Sequence, residues 1–469
     1  MRIADSFQQS WKAPDGYRAI LSVGLPLVIS MFSTSVMLFV DRLFLSLYSL
    51  DAIAAVMPAA LAAISFLFFF MGTAGYTTVI VAQYIGSGAP HRVGPALWQG
   101  IWLVGVSSLA MALLSLVGEP LFAYAKHDPA VQELEVIYFQ TLCLGAFPML
   151  LNNVLGCFYT GRGQTRMVLI ANLLATACKI PGDYILIFGI PGILPSLGMF
   201  GAALATIIST SVSALFLAWF IFSSQHEKTY GTRSGWRPQA EMLRRLARFG
   251  LPSGLNMFTD NLAIFWFLME VGGLGKIPLA ATNIAFSLNN FIFTPMLGMN
   301  LAVASLVGQA MGAGNTVSVV NFTRRSLFLA LAYMIPCALV MAIFAEPLVS
   351  LYASSALTQD QFALIKETGV LLIYFVSLYS LVDAGSIIYF GSLKGTGDTR
   401  GVLWVLLIGI GIFLVIPVAA LKYLNMQSVV SYWMALTVYV SFLAFGAMFR
   451  FRQGRWRTIR VVETAPLTP

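Results

Sequence analysis

Long apolar runs separated by short polar breaks recur along the whole chain. A helix needs about 20 apolar residues to cross a bilayer, and twelve runs are long enough. The predicted spans are residues 19–45, 52–84, 94–117, 131–158, 167–190, 200–223, 247–271, 277–311, 321–345, 364–391, 401–421 and 427–449. The pattern therefore predicts an all-α polytopic membrane protein with twelve transmembrane helices.

One long polar connection, residues 224–246, divides these spans into two sets of six. We accordingly predict four regions in chain order. They are an N-terminal lobe with spans 1–6 (1–223), a cytoplasmic linker loop (224–246), a C-terminal lobe with spans 7–12 (247–449) and a basic cytoplasmic tail (450–469).

The composition agrees with a membrane protein and excludes several other classes. Hydrophobic residues make up 58% of the chain and charged residues 10%, with a mean hydropathy of +0.83. Soluble domains carry roughly 25% charged residues, so an ordinary cytosolic enzyme, a disordered chain and a nucleic-acid binder are excluded. All four cysteines lie within apolar runs, which indicates neither a disulfide framework nor a metal site.

The basic residues are distributed unequally between the two sides of the predicted membrane. With the N-terminus placed in the cytoplasm, 21 Lys and Arg fall on the inner side and five on the outer side or at outer helix ends. An excess of Lys and Arg is typical of cytoplasmic loops, so both termini and the linker are predicted to be cytoplasmic. The membrane is predicted to be the cell (inner) membrane. The net charge of +8 then indicates contact with anionic membrane lipid. The first apolar run, from Ala19, is too long for a signal-peptide core, and we expect it to remain as a span.

Three short segments of the first half recur in the second half in the same order. Gly24-Leu25-Pro26 recurs as Gly250-Leu251-Pro252, and VAQYIGSG (Val81–Gly88) recurs as VGQAMGAG (Val307–Gly314). TGRGQTR (Thr160–Arg166) recurs as KGTGDTR (Lys394–Arg400). Because each half has an even number of spans, the halves would share one orientation, related by a pseudo-two-fold axis along the membrane normal. The glycines are expected to serve helix caps and close helix packing.

These paired segments and the arrangement of six plus six spans resemble the multidrug and toxin extrusion (MATE) family, in its bacterial NorM/DinF-like form. The resemblance covers essentially the whole chain. It implies a monomeric two-lobe antiporter without a cofactor, which exports small organic, cationic drugs or toxins in exchange for H⁺ or Na⁺. The protein is therefore not expected to be an enzyme.

Two acids lie deep within predicted spans of the second half. Asp260 is at the centre of span 7 and Asp383 is near the middle of span 10. An ionisable side chain at the bilayer centre costs at least about 2.5–3.5 kcal/mol, so each acid is a functional candidate. The resemblance implies a coupling role for both, with Na⁺ as one ion they could bind, and Asn256 and Asn283 could line the same site. Hydrogen bonding between helices is the structural alternative for all four residues.

Three further charged residues belong to the first half. Lys179 and Asp183 are four residues apart in span 5 and so share one helix face, where a buried salt bridge is the structural alternative. Asp41 could mark the outer end of span 1, but the resemblance implies an ion or proton site there, near Asp183 and Thr206 of span 6. Relatives with a cation site in this lobe often carry Asn where this chain has Lys179, which argues against Na⁺ binding here. By contrast, no tethered base is expected beside the acids of the second half.

The sequence argues against two other functions and leaves a third as an alternative. An ATP-driven pump needs a phosphate-binding loop, and no G-x-x-x-x-G-K-[ST] string occurs. Gly395–Asp398 spells the G-x-G-D string of intramembrane aspartyl proteases, but no Tyr-Asp pair exists and Asp398 aligns with Gln164 of the first half. A lipid-linked-sugar flippase or polysaccharide exporter of the same superfold stays as the alternative. It would need a strongly cationic cavity, whereas the spans offer one central base, Lys179, against four acids.

Overall fold

The structure is a computed structural model that describes residues 11–125, 128–352 and 359–463. It is helical throughout these residues, without a β-strand among them, which confirms the all-α prediction. The α-helices are α1 (Tyr17–Tyr48), α2 (Leu50–Gly75), α3 (Thr77–Gly86), α4 (Val93–Leu114), α5 (Gly118–Ala125), α6 (Pro129–Leu144), α7 (Ala146–Gly161), α8 (Arg166–Phe188), α9 (Gly198–Ile221), α10 (Ser224–Tyr230), α11 (Ala240–Gly272), α12 (Lys276–Gly312), α13 (Thr316–Ile343), α14 (Ala345–Ser350), α15 (Gln359–Thr396), α16 (Thr399–Ile408), α17 (Ile416–Tyr423) and α18 (Val429–Arg452).

Ten helical segments of the described chain are long and apolar enough to cross a membrane. An eleventh is the pair α6 and α7, whose axes differ by 46° at Gly145. The remaining predicted span, 247–271, lies within α11, which has 33 residues but is less apolar. All twelve predicted spans thus coincide with helical segments, and span 7 is the most polar.

Several spans are interrupted rather than straight. The second predicted span, 52–84, breaks at Tyr76 between α2 and α3. The eleventh contains a seven-residue π-helix, Gly409–Val415, between α16 and α17. A π-helical turn widens the hydrogen-bond ladder and locally changes helix direction. Of the long predicted spans, 52–84 is divided by such a break, whereas 277–311 lies within the single helix α12.

The chain divides into two compact units, each described by itself below. The N-terminal unit contains Ile29–Phe258, Gly308–Asn315 and Arg460–Pro469. The C-terminal unit contains Met1–Val28, Thr259–Val307 and Thr316–Ile459. The predicted lobe boundaries follow the linker loop, whereas the units part within α1 and α11. The tip of the predicted tail, 464–469, lies outside the described residues, as do 1–10 of the predicted N-terminal lobe.

The sequence repeat corresponds to repeated backbone conformation. Gly88 and Gly314, which are equivalent in the repeat, have φ angles of 72° and 70°. Left-handed backbone of this kind favours glycine because it has no Cβ. Within the N-terminal unit, a Cβ at Gly86 would lie 1.9 Å from the carbonyl oxygen of Gln309, whose repeat equivalent is Gln83. The glycine segments therefore serve capping and close packing, as expected.

The central connection is held to the end of α7 by an aromatic cluster around Arg162. The Arg162 guanidinium lies 4.5 Å from the ring centre of Phe158 and 4.2 Å from that of Tyr230 in α10. His226 Nδ1 donates to the carbonyl oxygen of Phe220 at 2.8 Å, so its Nε2 is the acceptor facing Arg162 Nη1 at 3.4 Å. Burial lowers the pKa of His226 below its ordinary 6.5, and the charge of Arg162 lowers it further, against the opposing effect of the Phe220 hydrogen bond.

Candidate functional site

A buried polar cluster in the N-terminal unit is centred on Lys179. Its Nζ donates to Asp183 Oδ1 at 2.8 Å, to Thr206 Oγ1 at 2.9 Å and to Asp41 Oδ1 at 3.2 Å. Lys179, Asp41 and Asp183 are 1%, 5% and 0% exposed. The structure thus brings together all four residues that the sequence singled out in this half. We call these four residues the Lys179 cluster.

Helix periodicity and close packing explain how the cluster forms. Lys179 and Asp183 are one turn apart on α8, and Thr206 belongs to α9, which packs along α8. The two helices approach closely at Gly201, where a Cβ would lie 2.4 Å from the carbonyl oxygen of Leu186. Pro181 lies between the two charged residues of α8 and removes one backbone hydrogen bond there. Asp41 reaches the cluster from α1.

The same face of α8 continues as a polar stripe against α1. Thr176 Oγ1 lies 2.8 Å from Ser33 Oγ, and Asn172 donates to Ser30 Oγ. Both contacts join α8 to α1 within the N-terminal unit. Hydrogen bonds of this kind hold helices together where no water is present. They fix the register that places Asp41 beside Lys179.

The Lys179 cluster contains more negatively charged than positively charged side chains. Two carboxylates and one ammonium leave a formal charge of −1 when all three groups are ionised. Asp183 Oδ2 is buried and accepts no hydrogen bond from the described residues. Tyr138 of α6, which is also buried, interacts electrostatically with both carboxylates. An unbalanced charge without solvent is costly, so the cluster is suited to take up one positive charge.

The C-terminal unit contains the other two candidate acids. Asp260 in α11 is exposed, and its Oδ1 accepts a hydrogen bond from Tyr439 Oη of α18 at 3.4 Å. Asp383 in α15 is half-buried and accepts from Ser386 Oγ one turn later on the same helix. The charges of Asp260 and Asp383 interact with each other. The two acids therefore form one electrostatically connected region of this unit.

A base that the sequence did not associate with these acids interacts electrostatically with one of them. Lys394, which the sequence assigned to the inner-side bases, is half-buried near the end of α15, and its charge interacts with that of Asp260. The amides are separated: Asn256 is buried in the N-terminal unit, whereas Asn283 is exposed in the C-terminal unit. Among the described residues, no hydrogen bond joins either amide to Asp260 or Asp383.

Four residues that contact or face the acids were not predicted from the sequence. Ser386 could have been found from its spacing of three residues after Asp383. Lys394 was not recognised as a neighbour of the acids because a basic residue near a helix end normally indicates only that this end lies on the inner side of the membrane. Tyr138 and Tyr439 gave no signal, since a lone Tyr in an apolar run is ordinary.

No metal-binding cluster of three or more His, Cys, Asp or Glu side chains occurs in residues 11–125, 128–352 and 359–463. Asp398, from the protease-like string, is buried and paired with Arg450, whose Nε lies 2.6 Å from Asp398 Oδ2. Its Oδ1 accepts from the backbone N–H of Gly401 and caps α16. Asp398 therefore has a structural role at a helix start.

The helical fold and these intramembrane charges define a polytopic membrane transport protein. The MatE family model matches residues 26–185 and 252–421, well over half of the chain. The chain belongs to the MatE family, a family of transporters.

Solved structures agree with this assignment at the level of the fold. A crystal structure of MATE in complex with MaL6 is 20% identical, with a TM-score of 0.86, covering 97% of this chain and 99% of that chain. An outward-facing multidrug resistance MATE family transporter of the MOP superfamily gives the same identity, TM-score and coverages. A MOP superfamily transporter from Pyrococcus furiosus, whose binding pocket is described as having reverse polarity, is 21% identical with a TM-score of 0.85, covering 97% of this chain and 99% of that chain. The predicted two-lobe MATE fold is confirmed.

Proposed function

We propose that this protein is a secondary active antiporter that exports small organic cations and is driven by inward movement of H⁺. The observation that carries the proposal is the position of Lys179, whose ammonium contacts Asp41, Asp183 and Thr206 in a buried cluster. Coupling in such a transporter needs a site that can be loaded from one side and emptied to the other. The Lys179 cluster is the most deeply buried group of charges among the described residues.

A proton suits this cluster better than Na⁺ does. Lys179 already occupies one oxygen of each carboxylate and the Thr206 hydroxyl, which leaves few oxygens to coordinate a metal ion. Na⁺ placed about 4 Å from the ammonium would be repelled by about 4 kcal/mol at an effective dielectric of 20. That energy corresponds to roughly a thousandfold loss of affinity. A proton needs no coordination shell, and Asp183 Oδ2 is buried without a hydrogen-bond donor among the described residues.

One proton also balances the charge of the cluster. With Asp41, Lys179 and Asp183 ionised, the formal charge is −1, and protonation of either carboxylate makes it zero. Protonation would free Lys179 to pair with the other carboxylate alone. We infer that this change in pairing alters how α1 packs against α8, because the Lys179–Asp41 contact joins the two helices.

The acids of the C-terminal unit are proposed to attract the cationic substrate and to contribute to coupling. Asp260 is exposed and therefore available to a ligand, and Asp383 adds a second negative charge. These two acids could also bind Na⁺, although Lys394 weakens that case by compensating part of the charge. A flippase for lipid-linked pyrophosphates would need cationic groups that face its ligand, and Lys179 is buried against two acids. The alternative is thereby disfavoured.

Three further proposals concern the setting in which the protein works. We propose that it lies in the cell (inner) membrane with both termini in the cytoplasm. It is proposed to act as a monomer that contacts membrane lipid. It is also proposed to use no cofactor other than the coupling ion.

Reconstitution into proteoliposomes tests the proposal. Efflux of a fluorescent organic cation would be followed with a pH gradient or a Na⁺ gradient imposed separately. We expect the pH gradient to drive export, whereas Asp41→Asn should lose this response. Export that follows only the Na⁺ gradient, or that is equal without any gradient, would contradict proton coupling. Export of an anionic sugar-linked lipid but of no cation would favour the alternative.

A further inference from the structure

The central connection between the two halves is hydrogen-bonded along helix α4. Trp98 Nε1 donates to the carbonyl oxygen of Thr232 at 2.6 Å, and Trp102 Nε1 donates to that of Trp236 at 2.9 Å. Between them, Gln99 donates to the carbonyl oxygen of Arg237 and accepts from the backbone N–H of Gln239. Side chains on neighbouring positions of α4 thus supply hydrogen-bond partners for the backbone of residues 232–239, which lies outside the α-helices and includes a short 3-10 helix at Ser234–Trp236.

The lengths of the helices place these contacts at the membrane surface. The apolar segment Pro90–Ala123 has 34 residues, or about 51 Å at about 1.5 Å per residue, against about 30 Å of hydrocarbon. A centred segment would therefore extend about 10 Å beyond the hydrocarbon at each end. On this scale Trp98, about 12 Å from Pro90, lies at the boundary between hydrocarbon and headgroups, and Trp102, about 18 Å from Pro90, lies about 8 Å inside that boundary, in the outer part of the hydrocarbon. Backbone at that depth needs internal hydrogen-bond partners, which α4 supplies.

The exposed surface of this region, which faces away from the protein interior, combines indole rings with basic side chains. Trp102 and Trp236 are 40% and 52% exposed, and tryptophan favours the headgroup level of a bilayer. Arg233 and Arg237, on either side of Trp236 in the connection, are exposed too. Arg233 Nε donates to the carbonyl oxygen of Phe222 at the end of α9, which keeps its guanidinium near the membrane end of that helix.

The charge of the connection is strongly one-sided. Residues 224–249 contain one Lys and five Arg against two acids, Glu227 and Glu241, and Glu241 pairs with Arg245. Arg245 also pairs with Glu463. Acids therefore compensate Arg245, and Glu227 compensates part of the charge of Arg233: it accepts hydrogen bonds from the backbone N–H groups of Arg233 and Ser234, and its charge interacts with that of Arg233. The guanidinium of Arg237 is exposed. Anionic headgroups supply the complementary charge at the level of Trp236.

We propose that Trp102, Trp236, Arg233 and Arg237 form a binding surface for anionic phospholipid headgroups. The lipids belong to the membrane leaflet on the side where most Lys and Arg residues lie. The indole rings would lie at and just below the level of the headgroups, while the guanidiniums bind phosphate oxygens, for which their planar donors are suited. Such binding would hold the connection between the halves against the membrane. This proposal does not depend on the transported substrate or on the coupling ion.

Fluorescence quenching by brominated lipids tests the surface. The purified full-length protein would be reconstituted in vesicles containing brominated phosphatidylglycerol or brominated phosphatidylcholine at equal bromine content. The contribution of Trp236 is the difference between the wild type and Trp236→Phe. We expect stronger quenching of this contribution by the anionic lipid. The double variant Arg233→Gln/Arg237→Gln should reduce the preference by up to about thirtyfold, since each base near the surface contributes about 1 kcal/mol.

Two controls separate lipid binding from a folding defect. Arg233→Lys/Arg237→Lys keeps both charges and should retain most of the preference. Arg455→Gln/Arg457→Gln removes the same charge from exposed positions beside another tryptophan, Trp456, and should leave the preference unchanged. Equal quenching by the two lipids, absence of quenching of Trp236, or an equal loss in the Arg455/Arg457 variant would overturn the proposal.

Discussion

The ammonium of Lys179 lies 2.8 Å from Asp183 Oδ1 on its own helix and 3.2 Å from Asp41 Oδ1 on another helix. The first contact is fixed by the spacing of four residues within α8. The second persists only while α1 keeps its register against α8. A change in the charge of either acid therefore affects how the two helices are joined.

Removal of either acid of the Lys179 cluster should impair coupling. Asp41→Asn and Asp183→Asn each keep the side-chain shape but remove one of the two carboxylates, so that Lys179 balances the remaining one and no proton is needed. We expect proton-driven efflux to fall at least about tenfold, which corresponds to about 1.4 kcal/mol. Efflux in proteoliposomes with a pH gradient measures this effect. Thr206→Val, which removes only a neutral acceptor of Lys179, should cause a smaller loss. Unchanged efflux in both Asn variants would show the cluster to be structural.

The acids of the C-terminal unit are expected to act on substrate as well as on coupling. Asp260→Asn and Asp383→Asn should each reduce efflux at least about tenfold, and Asp260→Asn should also weaken cation binding, because this carboxylate is exposed. Binding of a fluorescent cation to purified protein measures the second effect. Tyr439→Phe is the matched control, since it removes only the hydrogen bond to Asp260. Normal efflux and binding in both Asn variants would contradict these roles.

The packing of α10 should depend on pH through His226. Its pKa is lowered by burial and by Arg162, so the neutral ring is favoured in the packed state. The stabilisation is complete above the ordinary pKa of about 6.5 and is lost as pH falls from there towards the lowered pKa. Hydrogen exchange of Ser224–Tyr230, corrected for intrinsic rates, should therefore increase between about pH 7.5 and pH 5.5. His226→Asn, which cannot titrate, should show no such increase, and a wild type equally protected at both pH values would refute the prediction.

The side of the membrane on which the linker lies can be tested with single cysteines. The bias of 21 bases to five predicts that the linker is cytoplasmic and that the connection between α8 and α9 faces outward. Ser234→Cys and Ser196→Cys, both at exposed positions, would be made in a background without the four native cysteines. An impermeant thiol reagent applied to intact cells should label the second variant and spare the first. The opposite labelling would reverse the predicted orientation.

Much of the fold follows from local sequence properties. Apolar length defines the spans, and glycines that recur at equivalent positions, such as Gly88 and Gly314, mark left-handed caps in both halves. The breaks at Tyr76 and Gly145 and the π-helix at Gly409–Val415 were not predicted. Such irregularities depend on packing between helices, and hydropathy does not register that packing.

The candidate site was predictable to different degrees in the two halves. Lys179 and Asp183 share a helix face by their spacing, and the charges are conspicuous in an apolar span. The contact of Lys179 with Asp41 required the family resemblance, since the two residues are 138 positions apart. The electrostatic interaction of Lys394 with Asp260 was not predicted, because it depends on where the end of α15 lies in three dimensions.

The response of export to Na⁺ in Lys179→Asn tests the central claim most directly. If the ammonium of Lys179 excludes Na⁺ from the cluster, its replacement by a neutral amide should create or strengthen Na⁺ stimulation of efflux at fixed pH. The gain could approach the roughly thousandfold affinity difference estimated for charge repulsion, and Asp41→Asn added to this variant should abolish it. Efflux in proteoliposomes over a series of Na⁺ concentrations measures the response. Identical Na⁺ responses of the wild type and Lys179→Asn would contradict the account of Lys179 as the group that makes this site a proton site.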